Sequence, residues 1–245
     1  MSEDAPPAEA AWSTWVAWAV DRFGATLRVA CSLSVEDSLL VDAVAERAAE
    51  LGLEGDRAPS VFVLDTGRLH EESYRLLESL RERYRLSFVV VVPDPARLEP
   101  MLRTKGPLSF YTSIDDRREC CGIRKVEPLG RALAGASAWM TGQRRAQSTT
   151  RQNLAILEQD ADHGGIAKLN PLAELSDEAL WAEATRRNVL IHALHRTGYP
   201  SIGCAPCTRP VAAGADPRSG RWWWEDPENR ECGLHRHAPA STGAA

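Results

Sequence analysis

The chain has 245 residues, of which 44% are hydrophobic and 26% charged, and its formal net charge is −5. That length suits one large domain or a domain with a small appendage, and the balance is ordinary for a globular protein. The acidic charge argues against a broad nucleic-acid-binding face, and no apolar run is long enough to span a bilayer. The start, Met1-Ser2-Glu3-Asp4, is acidic rather than signal-like, so a cytoplasmic protein is expected. Residues 1–10, rich in Ala, Pro and Glu, are expected to be loose. Trp12, Trp15, Val16 and Ala19 then recur at helical spacing and predict a first amphipathic helix with the tryptophans in the core.

Strand and helix alternate from there. A strand is predicted over 27–31, a turn over 32–37, and a helix over 38–50 with Leu39, Leu40, Ala43 and Val44 on one face. A buried strand over 61–64 ends in Asp65-Thr66-Gly67, and a charged helix follows over 69–84. A β-branched strand over 87–92 is stopped by Pro93. One helix begins after Asp94-Pro95, and another is expected over 116–133. A fourth strand lies at 138–141, with short strands at 155–158 and 167–169, and Ser176 caps a last helix. Strands separated by helices imply parallel pairing with right-handed crossovers, so the fold class is α/β, doubly wound, with a mostly parallel sheet. The domain is expected over 11–209. Residues 210–245 lack periodicity and are expected to form a mobile tail, interrupted by Trp222-Trp223-Trp224 and by Cys232.

The cysteines organise this chain. Cys120-Cys121 and Cys204-Ala205-Pro206-Cys207 form two pairs in basic, Gly/Pro-punctuated settings. Four thiolates from two distant segments can close a cage around a metal centre. Buried free thiols or disulfides are the plainer readings, but charged flanks and a reducing compartment favour metal. Adjacent cysteines on a regular helix point about 100° apart, because the helix has about 3.6 residues per turn. They reach one small centre only if the helix distorts or the centre is wide. Spacing alone leaves iron–sulfur and zinc equally open.

Three strand exits carry suggestive chemistry, because ligands in open α/β sheets bind at the carboxyl ends of strands. Ser32-Leu33-Ser34 precedes a helix and could hold a phosphate, although it is no P-loop and serines there are often plain caps. Asp65-Thr66-Gly67 reads equally as an ordinary turn. The fourth strand runs into a loop carrying Arg144, Arg145 and Arg151, where anion binding is favoured over a solvated loop. Cys232 stands alone among Arg230, His235, Arg236 and His237, which favour its thiolate, the nucleophilic form.

Several segments together resemble one family. These are Leu64-Asp65-Thr66-Gly67-Arg68-Leu69-His70, Cys120-Cys121-Gly122-Ile123-Arg124-Lys125, the stretch 141–151, Gly203-Cys204-Ala205-Pro206-Cys207-Thr208-Arg209-Pro210, Gly220-Arg221-Trp222-Trp223-Trp224-Glu225 and Glu231-Cys232-Gly233-Leu234-His235. In that order they are similar to assimilatory adenylyl-sulfate reductases of the phosphoadenylyl-sulfate reductase family, with an adenine-nucleotide α-hydrolase-like fold. The resemblance implies that Cys120, Cys121, Cys204 and Cys207 hold a [4Fe–4S] cluster. It implies that Cys232 attacks the sulfur of adenylyl sulfate, expels AMP and becomes an S-sulfocysteine, from which thioredoxin or glutaredoxin releases sulfite. Ser32, Ser34, Leu64 and Thr66 would line the adenosine end, and Lys125, Arg151, Arg218 and Arg221 would hold the phosphosulfate. No nucleic acid or membrane partner is implied, and a homo-oligomer is compatible. The first loop lacks the glycine that family members usually carry. Rival readings are a reductase of the 3′-phosphorylated nucleotide, a non-catalytic iron–sulfur or zinc electron-transfer module, and an adenylating enzyme of the same fold.

Overall fold

A computed structural model of the chain describes residues 4–148, 151–212, 214–226 and 234. Its centre is a six-stranded sheet in the order β3-β2-β1-β4-β6-β5. Strands β1 (Leu27–Ala30), β2 (Ser60–Leu64), β3 (Ser87–Val91), β4 (Ala138–Met140) and β6 (Ile166–Leu169) run parallel, and β5 (Leu157–Asp160) is antiparallel to β6. The predicted strands are all present. The direction of β5 follows from the short hairpin through Gly164 and Gly165, both at φ +74°, which has no room for a crossover helix.

Helices cover the sheet: α1 (Trp12–Phe23), α2 (Val35–Glu50), α3 (Glu71–Arg83), α4 (Pro95–Lys105), α5 (Ile114–Cys121), α6 (Glu127–Ala132) and α7 (Asp177–Arg186). The main core packs Trp15, Val16, Ala19 and Val20 of α1 against Leu39, Leu40, Ala43 and Val44 of α2 and the inner face of β1. Val61, Phe62 and Val63 of β2 are all buried, as expected of a strand covered on both faces. The chain leaves β1 outwards through β2 and β3, then returns to place β4 on the other side of β1. That reversal makes the β1/β4 crevice the switch point of the sheet.

Three local departures from the sequence expectations bear on function. First, α2 begins at Val35, not Ser38: Ser34 is its N-cap, accepting the Asp37 N–H at 3.3 Å, so residues 35–37 are its first turn. The loop before it carries no glycine, yet Leu33 takes φ +67°, a left-handed conformation costing a non-glycine residue about 1–2 kcal/mol. Leu33 is 1% exposed, so its burial offsets that cost.

Second, the expected helix over 116–133 is not continuous. It stops as an α-helix at Cys121, passes through a π-type turn at Gly122–Val126, and resumes as α6. Pro128 has no N–H to return to the carbonyl four residues back, which relaxes the ladder there. Third, periodicity ends at residue 209 but packing does not. Thr208 bridges to Arg221, Trp222 donates its backbone N–H to the Cys207 carbonyl at 3.1 Å, and Trp222 is 1% exposed. The packed body therefore runs past the expected boundary to Glu225, through one buried ring and one buried ion pair rather than a regular element.

Candidate active site at the switch point

The carboxyl ends of β1, β2 and β4 open into a cavity of about 370 Å³, the size of a nucleotide-like ligand. Ser32, Ser34, Leu64, Thr66, Lys125, Arg151, Arg218 and Arg221 all line it, and so does Cys204. Residues spread over most of the chain thus meet around one cavity. Cys232 lies outside the described residues. Leu234 also lines the cavity, packed with Phe62, Leu129 and Trp139.

One end of the cavity is acidic. The Ser32 backbone N–H and hydroxyl both donate to Asp37 Oδ2 at 2.6 Å. Burial pushes the Asp37 carboxyl up to about 6; the Ser32 bonds pull it down, and Glu36 adds to the rise. The chain's own carboxylate therefore occupies the place at the start of α2 where a phosphate would sit. The serines act as the loop's internal fasteners, and this end suits hydroxyl and ring donors better than an anion.

Arg144 does not bind an anion as the sequence suggested. Its Nε and Nη2 donate to Glu36 Oε1 at 3.1 and 3.0 Å, its Nη2 also to Asp177 at 2.6 Å, and its Nη1 to the Leu175 carbonyl at 2.9 Å. Arg145 is likewise engaged, by Glu174 and by the Leu154 carbonyl. Both arginines fix the loop after β4, because carboxylates distant in sequence reach them first. Gly142 makes that junction possible. A Cβ there would lie 2.4 Å from Asp37 Oδ1 and 2.8 Å from Glu36 Cβ.

The other end is basic and abuts the cysteines. Lys125 comes from the π-type turn, and Arg218 and Arg221 come from the packed segment after residue 213. Arg221 is buried, with Nη1 donating to the Ser201 hydroxyl and the Ile202 carbonyl at 3.3 and 3.2 Å. Beside them Cys120, Cys121, Cys204 and Cys207 share one buried cluster with Met101, Phe110, Ile123 and Trp222.

The comparisons with known proteins decide the family. A model described as the phosphoadenosine phosphosulfate reductase domain matches residues 26–210. The chain belongs to the phosphoadenosine phosphosulfate reductase family. Curated relatives named adenosine 5′-phosphosulfate reductase include one from Neisseria meningitidis, 47% identical over 211 residues, covering 85% of this chain and 82% of the relative. Another, from Pseudomonas aeruginosa, is 45% identical over 222 residues, covering 89% and 79%. Among solved structures, phosphoadenylyl-sulfate reductase from Candida auris superposes with a TM-score of 0.65 at 24% identity, covering 83% of this chain and 91% of that one. FMN adenylyltransferase from Candida glabrata follows at 0.54 and 15%, covering 96% and 82%. These likenesses place the fold among adenine-nucleotide α-hydrolase-like proteins.

In this member of the reductase family, the cysteine chamber has a distinct electrostatic character. Burial raises the Cys204 thiol, but Lys125, a 3.2 Å hydrogen bond with the Thr66 hydroxyl, Arg221 and Arg124 outweigh it and hold it below the ordinary thiol value. Cys120 is raised by burial, against the pull of Arg124 and Arg68. Burial and the neighbouring Cys204 push Cys207 up to about 12. None of the described cysteines forms a disulfide. Among the described residues, no three His, Cys, Asp or Glu side chains come together as a site for a single metal ion. Sequence reasoning missed Glu36, Asp37 and Gly142. The only sequence signal was the acidic pair at a helix start, which also reads as ordinary dipole compensation.

Proposed function

We propose that this chain reduces adenylyl sulfate to sulfite and AMP in sulfate assimilation, with Cys232 as nucleophile. One observation carries the reading most: a nucleotide-sized cavity whose basic end, at Lys125, Arg218 and Arg221, adjoins four buried cysteines. Attack on a sulfonate brings one anion to another, so the site must offset negative charge at the sulfur and the leaving phosphate. Arg151, Arg218, Arg221 and Lys125 supply that charge. Ser32, Ser34 and Leu64 line the adenosine end, and Thr66, hydrogen-bonded to Cys204, stands between that end and the cysteines. The Glu36–Asp37 wall disfavours a phosphate on the ribose, and Arg144 on the same wall is engaged by Glu36 and Asp177. That supports the non-phosphorylated nucleotide as substrate.

In the first step the Cys232 thiolate forms a bond to the sulfonate sulfur. The sulfur–oxygen bond breaks, and AMP leaves with its electron pair. A dithiol protein, thioredoxin or glutaredoxin, then attacks the Cys232 sulfur. Sulfite departs, and the dithiol supplies the two electrons as it becomes a disulfide. Leu234, two positions beyond Cys232, lines the cavity, which supports delivery of the thiolate there.

The chamber chemistry fits a [4Fe–4S] cluster held by Cys120, Cys121, Cys204 and Cys207. Four buried sulfurs lie among Arg117, Arg124, Arg68, Lys125 and Arg221, a frame that suits a multiply anionic group and that neutral free thiols would not need. When bound, the cluster would supply negative charge and rigidity beside the sulfonate, since a dithiol already carries the electrons. A nucleophilic thiolate and such a cluster need a reducing compartment, so we place the protein in the cytoplasm.

The test has two parts. Protein purified without oxygen is analysed for iron and acid-labile sulfide. Sulfite release is then followed with thioredoxin on adenylyl sulfate and on its 3′-phosphorylated form. The account expects about four irons per chain and turnover favouring adenylyl sulfate. Colourless, fully active protein, or preference for the 3′-phosphorylated form, would overturn it.

A further inference from the structure

Arg117 has no part in nucleotide binding, yet it is among the most buried charges in the protein, with a side chain 1% exposed. It lies on α5 four residues before Cys121, so the two share a helix face. Its Nε and Nη2 donate to Glu225 Oε1 and Oε2 at 2.9 and 2.8 Å, a two-pronged pair with a carboxylate that is itself 4% exposed. The same guanidinium hydrogen-bonds Cys121. It also lies 4.9 Å from the centre of the Trp222 ring, and Arg221 lies 4.8 Å from that same ring.

These contacts form a continuous chain: Cys121, Arg117, then Glu225 and Trp222, then Arg221 at the cavity. Room for the last link is set by Gly203, where a Cβ would come within 2.4 Å of the Arg221 guanidinium. A buried pair is weak evidence of stabilisation, because desolvation offsets the attraction unless further partners satisfy the fork. Here the further partner is a cysteine sulfur, so the same turn of α5 that carries Cys121 also carries the fork that grips Glu225.

We propose that Arg117 is a positioning residue that couples the filling of the four-cysteine cage to the docking of residues 218–226. A filled cage would hold Cys121 and with it the turn of α5 that carries Arg117, which fastens this strap through Glu225 and Trp222 and so sets Arg218 and Arg221 at the cavity. An empty cage leaves that turn unheld and loosens the strap. The inference rests on the cluster proposed above and adds to it a consequence for nucleotide binding.

Hydrogen exchange over 218–226 tests this. Four samples are compared: anaerobic wild type, the same protein stripped of iron by a chelator, Glu225→Gln and Arg117→Lys, with iron counted in each. Stripping is expected to lower strap protection about tenfold or more while amides of β1, β2 and β4 keep theirs. Glu225→Gln should retain its iron yet exchange in the strap like the stripped protein, and bind AMP about tenfold more weakly. Arg117→Lys keeps the charge without the fork and should fall between. Equal strap protection in iron-loaded and stripped wild type would overturn the coupling while leaving the proposed function standing. So would unchanged protection in iron-bearing Glu225→Gln, which decides the matter if stripping also loosens the sheet. Iron-free wild type would instead remove the reading beneath the inference.

Discussion

Replacing Gly142 with alanine asks whether the β4 exit must touch the start of α2. Gly142 has no left-handed backbone, so alanine meets no conformational penalty and the effect is steric. The added methyl would sit 2.4 Å from Asp37 Oδ1, 2.8 Å from Glu36 Cβ and 3.3 Å from the Asp37 nitrogen. Asp37 cannot swing aside freely, because Oδ2 is held by two 2.6 Å bonds from Ser32. Overpacking of this kind costs about 1–3 kcal/mol. Losing one hydrogen bond to a carboxyl group adds about 1.5–3 kcal/mol. A total of about 2.5–6 kcal/mol would lower the melting temperature by about 5–24 °C at about 2–4 °C per kcal/mol for a protein of this size. Since the disturbed loop lines the cavity, AMP affinity should fall with it. Differential scanning calorimetry and AMP titration of Gly142→Ala measure both. A melting temperature within 2 °C of wild type, with AMP affinity unchanged, would refute the argument that this junction is tight and supports the nucleotide site.

Other consequences are equally direct. The folded Asp37 carboxyl, at about 6 rather than 3.8, holds more proton than the unfolded chain between those values, so it contributes stability below about pH 3.8 that is lost as pH rises through about 6. The gap is worth about 3 kcal/mol at about 1.36 kcal/mol per pKa unit. Urea denaturation of Asp37→Asn beside wild type should therefore show the variant gaining relative stability from pH 4 to pH 6.5; a constant difference would contradict the burial argument. Arg144→Ala leaves Glu36 buried without its charged partner and should cost about 3–5 kcal/mol. Arg145→Ala breaks a solvent-exposed pair and should cost about 1 kcal/mol or less. Denaturation curves of the two variants should separate clearly, and similar losses would mean the loop is not fixed as described. Lys125→Ala should lower kcat/KM for adenylyl sulfate by about a hundredfold or more while the protein melts as before; near-normal turnover would remove Lys125 from the site.

Much of this architecture was legible because it rests on short-range pattern. Runs such as residues 61–64 and 87–91 declare strands, and the turns between them leave few topologies for a parallel sheet. The cysteine pairs were legible by spacing, and the residues that line the cavity only through the family resemblance of the segments that carry them. What escaped depends on partners far apart in the chain. Nothing local tells that Arg144 meets Glu36 across 108 residues, or that Arg117 meets Glu225 across another 108. Arginines in a loop after a strand look the same whether they await a phosphate or a carboxylate. The π-type turn escaped because its cause, Pro128, also reads as a permitted residue in a first helical turn. Leu33 escaped because a left-handed leucine is chosen by its burial, which no local propensity encodes.

Intact-mass measurement of anaerobically prepared protein incubated with adenylyl sulfate, and no reductant, bears most directly on the central claim. The account predicts a gain of one sulfonate group on Cys232 with release of one AMP, and no gain in Cys232→Ser that still binds AMP. AMP release without an adduct, or an adduct that persists in Cys232→Ser, would contradict it.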